Sequence, residues 1–96
     1  MCYCIDMVKV KLMFETDSGC NWLAEEHEFG FVSMGEVRRR AQFMARQFWN
    51  KNKETAERLV EGWRRDGEEV EMWPLCECED EKVAKAFNDA FDAMGV

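Results

Sequence analysis

Two cysteine pairs, Cys2-x-Cys4 and Cys76-x-Cys78, are the first residues in this 96-residue chain whose type and spacing could do chemistry. On a strand, residues two apart share a face at about 6.5 Å, so each pair can present two thiols together. Were those strands neighbours, four sulfurs could converge on a zinc ion, with Cys20 or His27 beside them. The spacing weighs against it. Structural zinc sites use knuckles with two to four intervening residues, whose turns let both sulfurs reach one ion. Cys4 also falls in register with Val8, Val10, Leu12 and Phe14, where a small thiol packs as a core residue. A thiol-ligated zinc module is therefore a further alternative only, and no metal or cofactor is expected.

The single histidine, His27, sits in Glu25-Glu26-His27-Glu28. A nucleophile pair of Cys20 with His27 is conceivable, but no third orienting group and no oxyanion-binding glycine loop accompanies it. The chain shows no phosphate loop, dinucleotide fingerprint, nucleophile elbow or HExxH metal motif. It is read as non-enzymatic.

Charge is the stronger signal. The net charge is −7, with residues 1–35 at −4, residues 36–65 at +5 and residues 66–96 at −8. Acids of the last third, Glu68, Glu69, Glu71, Glu79, Asp80 and Glu81 among them, outnumber what helix capping and two lysines can use. They are the candidate partner-binding surface, suited to a basic groove on another protein. The alternative is the basic run Arg38-Arg39-Arg40 with Arg46. Arg39, Phe43, Arg46 and Asn50 line up at helical spacing, a cationic strip with an aromatic for nucleic acid or an acidic partner. With pI near 4.7 the whole chain lacks the basic footprint of an ordinary nucleic-acid binder, so direct nucleic-acid binding ranks second.

In size and acidity the chain resembles the short acidic proteins with which phages and mobile elements inhibit host defence systems, some of which mimic nucleic acid. That resemblance implies an inhibitor that occupies a basic, nucleic-acid-binding surface of a partner protein. The absence of an apolar leader or a span of ~20 apolar residues, together with five cysteines read as free thiols, leads us to expect a cytoplasmic protein with no membrane partner.

The elements that must position these residues form one α+β domain over residues 1–96. Residues 4–15 alternate, with Val8, Val10, Leu12 and Phe14 on one face and Met7, Lys9, Lys11 and Met13 on the other. Thr16-Asp17-Ser18-Gly19 supplies a turn. A second alternation sets Leu23, Glu25, His27, Phe29 and Phe31 against Trp22, Ala24, Glu26, Glu28 and Gly30. Ser33-Met34-Gly35-Glu36 has the form of a capping box, with Val32 and Val37 at staple spacing. The helix it opens is expected to end near Asn50. Residues 53–66 read as a second helix, or as a strand if Asp66-Gly67 makes a hairpin turn with Val70–Trp73. Glu69–Glu77 reads as a strand, irregular or at an edge because of Pro74. A last helix starts near Asp80, burying Val83, Phe87, Ala90, Phe91 and Met94, with Gly95 as its cap. The expected fold is an antiparallel sheet with two or three helices packed on it.

Overall fold

The computed structural model describes residues 6–96, so Cys2, Cys4 and the first residues of the expected opening strand lie outside the described residues. The chain is α+β in the order ββαβα: β1 (Met7–Thr16), β2 (Asn21–Gly30), α1 (Met34–Arg65), β3 (Met72–Glu77) and α2 (Glu81–Ala93). The sheet is antiparallel with strand order β2-β1-β3. Both helices pack on one face of it, each making contacts with the strands and with the other helix.

β1 and β2 form the expected hairpin. Gly19 takes φ +85 in its turn and donates its N–H to the Thr16 carbonyl at 2.9 Å. β1 buries Val10, Leu12 and Phe14 toward the helices, but Met13, expected on the wetter face, is buried as well, opposite Leu75 of β3. β2 does not alternate throughout. Leu12 faces Glu25, but Phe14 faces Trp22, so two residues of β1 span three of β2. Leu23 absorbs the extra residue at φ +56, a left-handed conformation that a branched residue rarely takes. This bulge corrects the expected faces. Trp22 moves to the helix side, where its ring lies 5.3 Å from that of Trp63.

α1 is one helix of 32 residues, which corrects both the expected end near Asn50 and the strand alternative for 53–66. Nothing between Asn50 and Lys53 breaks a helix, and Asn52 turns its Nδ2 back onto the Phe48 carbonyl at 3.0 Å. The buried stripe runs on from Val37, Ala41, Ala45 and Phe48 to Ala56. Asp66-Gly67 ends the helix and makes no hairpin. Gly67 at φ +86 lets its own N–H reach the Arg64 carbonyl and the Glu68 N–H reach Trp63, both at 3.0 Å, a Schellman closure. At the other end Ser33 Oγ accepts from Glu36 N–H at 3.2 Å as expected. The staple does not form: Val37 is buried, whereas Val32 is 76% exposed.

The core is mainly aromatic, in keeping with the scarcity of leucine. Phe14 stacks on Phe48 at 5.2 Å, Phe48 meets Phe91 edge-on at 6.0 Å, and Phe29 stacks on Phe87 at 6.2 Å. α2 is capped by Asp80, whose carboxylate accepts from Lys82 N–H at 2.9 Å, and Gly95 at φ +75 closes its far end. Its 13 residues span about 20 Å against about 48 Å for α1. Phe87 and Phe91 place it beside the first half of α1, leaving the second half to the sheet alone. β3 starts at Met72, three residues later than expected, and is an edge strand as Pro74 implied.

Candidate functional site

With both helices on one side, no described helix or strand covers the other face of the sheet, and the register decides which charges gather there. Opposed residues in an antiparallel pair share a face. Lys9 stands opposite Glu28, and Lys11 stands opposite Glu26 on one side and Glu77 on the other. A shallow depression of about 690 Å³ runs between these strands, bordered by Lys9, Lys11, Glu26, Glu77 and Glu79. A second one joins Glu28 to Asp6, Glu79 and Asp80. This end of the molecule carries seven acids (Asp6, Glu26, Glu28, Glu77, Glu79, Asp80, Glu81) against three lysines (Lys9, Lys11, Lys82). Among the described residues none of these acids has a lysine or arginine nitrogen within 4.0 Å.

The six acids proposed from sequence do not form one patch. Glu79, Asp80 and Glu81 belong to this end, though Asp80 spends its carboxylate on the α2 cap. Glu68, Glu69 and Glu71 are exposed on the segment between α1 and β3, at the opposite end of β3 and roughly 25 Å away along the chain. Their place beside the other three is taken by Glu26, Glu28 and Glu77. Glu77 belongs to the acid-rich last third of the sequence, whereas Glu26 and Glu28 stand out there only as neighbours of His27. The signal was present in the alternation of Glu26 and Glu28 with His27, but only strand order brings Glu77 to them.

The arginine strip exists on α1, and Phe43 stands 63% exposed within it. Its charges are partly used. Arg39 pairs with Glu36 at 2.8 Å, and Arg40 lies 5.4 Å from the Phe29 ring centroid. Arg38 and Arg46 border the cleft toward α2 with Asp89, which Lys85 already holds at 2.6 Å.

Of the described thiols, Cys20 at the hairpin turn lies apart from Cys76 and Cys78. Cys76 is 3% exposed in the core, and burial, reinforced by Cys78 and Glu77, pushes its pKa up to about 12. Cys78 is half-buried and Cys20 is exposed near the hairpin turn. Among the described residues no three His, Cys, Asp or Glu side chains are grouped to hold a metal ion. His27 faces the helices, 3.3 Å from Glu25, and Lys51 of α1 reaches the same carboxylate at 2.6 Å. The Lys51 hydrogen bond holds the Glu25 carboxyl below its usual range.

Fold and site thus define a two-layer α+β protein with one helix-covered sheet face and one acid-rich face that no described element covers. No described helix is long and apolar enough to cross a membrane. No family model, no curated protein and no solved structure matches the chain.

Proposed function

We propose that this protein is a non-catalytic binding module that works by setting its acidic sheet face against a basic surface of a partner protein. The phage or mobile-element type of inhibitor, acting in the cytoplasm on a nucleic-acid-binding cleft, is its most concrete form. The observation that carries the reading is the convergence of Glu26, Glu28, Glu77 and Glu79 on an exposed face where they outnumber the neighbouring Lys9 and Lys11 and, among the described residues, none is held in an ion pair within 4.0 Å. Unpaired surface carboxylates lose little in solvation until a complementary surface arrives, and their summed field steers that encounter. The test is kinetic. The partner is captured from extract of the source cell and identified, and its association rate is measured against ionic strength. Glu26→Gln, Glu28→Gln and Glu77→Gln combined should slow association at least tenfold at low salt and flatten its salt dependence. Glu68→Gln, Glu69→Gln and Glu71→Gln combined should change it much less, because those acids lie at the far end. Affinity indifferent to salt and to the first set would end the reading.

A second reading is favoured by one observation, the exposure of Phe43 between Arg39 and Arg46. An aromatic flanked by guanidinium groups suits stacking of an unpaired base with phosphates alongside. Salt-sensitive binding of single-stranded DNA or RNA, abolished by Arg39→Glu with Arg46→Glu, would establish it in place of the first.

A further inference from the structure

The two edges of the sheet are finished differently. On β3 the outer edge is closed. Asn88 of α2 accepts from the Cys76 N–H at 2.8 Å and donates to the Cys76 carbonyl at 3.2 Å, so Cys76 points its backbone outward and has it occupied. By alternation Pro74 points the same way, and it has no N–H to offer. On β2 neither device is present. This strand of ten residues contains no proline, and among the described residues no strand pairs with its outer side.

The outward groups of β2 can be assigned. Phe31 N–H donates to the Asp6 carbonyl at 2.8 Å, which marks that pair as a hydrogen-bonded one, and Val8 with Phe29 and Val10 with His27 follow in phase. Glu28 and Glu26 fall between them and turn their N–H and C=O groups away from β1. Their side chains lie on the acid-rich face, opposite Lys9 and Lys11. On the helix side, a cleft of about 460 Å³ lies between β2 and α1, floored by Met44 and Phe48 and rimmed by the polar Glu25, His27, Gln47, Asn50 and Lys51.

We propose that the outer edge of β2 receives, as a fourth strand, an extended segment of the partner protein in which lysine or arginine alternates with apolar residues. This rests on the acidic-face reading above and names how that face is engaged. The basic residues of the incoming strand stand opposite Glu26 and Glu28, and its intervening apolar side chains enter the cleft against Met44. β1 already shows the pattern: Val8-Lys9-Val10-Lys11-Leu12 occupies the other side of the same strand. A second copy of β2 is disfavoured, since self-pairing in most registers sets glutamates against glutamates, and like charges directly opposite destabilise a strand pair.

The probe is a soluble, end-blocked synthetic peptide carrying the sequence of residues 7–16 of this chain, compared with the same peptide N-methylated at alternate residues. Methylation keeps every charge and removes the donors that a new strand pair needs. Strand addition predicts that the unmodified peptide binds and slows hydrogen exchange at the Glu26 and Glu28 amides. It predicts that methylation on the pairing edge weakens binding at least tenfold. It further predicts that Glu28→Pro, which removes one outward N–H at a position where an edge strand tolerates proline, weakens binding more than Glu28→Gln. Equal binding of both peptides, with no protection at these amides, would overturn strand addition while leaving electrostatic docking of the acidic face in place. No binding of either peptide at low salt would also overturn it. Salt-indifferent binding of the captured partner is the separate result that removes the acidic-face reading itself.

Discussion

Two titrating groups show how environment sets behaviour at the scale of single residues. Cys76 lies in the core with its thiol pKa near 12, first because burial penalises the thiolate. Only roughly one molecule in ten thousand carries that thiolate at pH 8, and the thiolate is the nucleophile. Iodoacetamide at pH 8 should therefore modify exposed Cys20 in the native protein and Cys76 only after denaturation, as peptide mass mapping would report. Modification of both at similar native rates would contradict the buried assignment. The linkage has a definite sign. The unfolded chain ionises Cys76 near its ordinary 9.0 and the folded chain does not, so this contribution to stability is complete below pH 9 and lost as pH rises toward 12. Glu25 has the opposite sense. Its carboxyl is held below 4.5, chiefly by Lys51, so its contribution is present above that value and is lost as pH falls through the folded pKa. With Lys51 largely exposed, that contribution is small.

Among the elements, α1 carries the clearest local tests, because Gly62 within it and Gly67 just beyond its C-cap both have open space for a Cβ and differ in backbone conformation. Gly62 has ordinary helical φ and open space where a Cβ would stand. Gly62→Ala should stabilise the protein by about 1 kcal/mol, the helix-propensity difference. Gly67 also has open space, but its φ of +86 forms the Schellman closure. Gly67→Ala should destabilise by about 1–2 kcal/mol, the strain of a left-handed residue with a Cβ. Chemical denaturation of both variants checks the signs, and equal effects would mean that the helix does not end where the closure places it. Ser33→Ala should cost about 1 kcal/mol for the lost cap, measured in the same way. The absent staple at Val32 leaves that hydroxyl as the main fixing of the helix entry.

Across the whole molecule, stability should be graded along the long axis of α1. Its first half is held between the sheet and α2 by fully buried Val37, Ala41, Ala45 and Phe48. Its second half has no helix beside it, and Trp63 is only half-buried against the exposed Trp22. Fewer buried contacts mean a smaller free energy of local opening. Amide exchange should be slowest over residues 37–48 and at least tenfold faster over 58–65, and Trp22→Ala should speed the latter while leaving the former nearly unchanged. Uniform exchange along α1 would show that the helix opens only as a unit. The same gradient places the acidic face, the β2 edge and the α2 cap around the better-held half, where a binding surface stays in shape.

What could be read from the chain alone followed from interactions close in sequence. Alternation over residues 7–16, the turn at Gly19, the Ser33 cap, the apolar stripe of α2 and the antiparallel α+β fold all depend on neighbours within a turn or a hairpin. Two local signals were ambiguous because one residue pair serves two structures. Asp66-Gly67 fits a hairpin turn and a helix C-terminus equally, and only the unbroken packing of Ala56 and Trp63 on the sheet side chose the second. The bulge at Leu23 had no sequence mark, since it is imposed by the contact of Trp22 with a helix forty residues later. The candidate site divided in the same way. Its acidity and the exposed strip around Phe43 were legible as composition and period. That Glu26, Glu28 and Glu77 would surround two lysines, while Glu68, Glu69 and Glu71 would lie at the other end, required the order β2-β1-β3. Strand order is set by non-local burial of one sheet face beneath α1 and α2, and no spacing within a single strand encodes it.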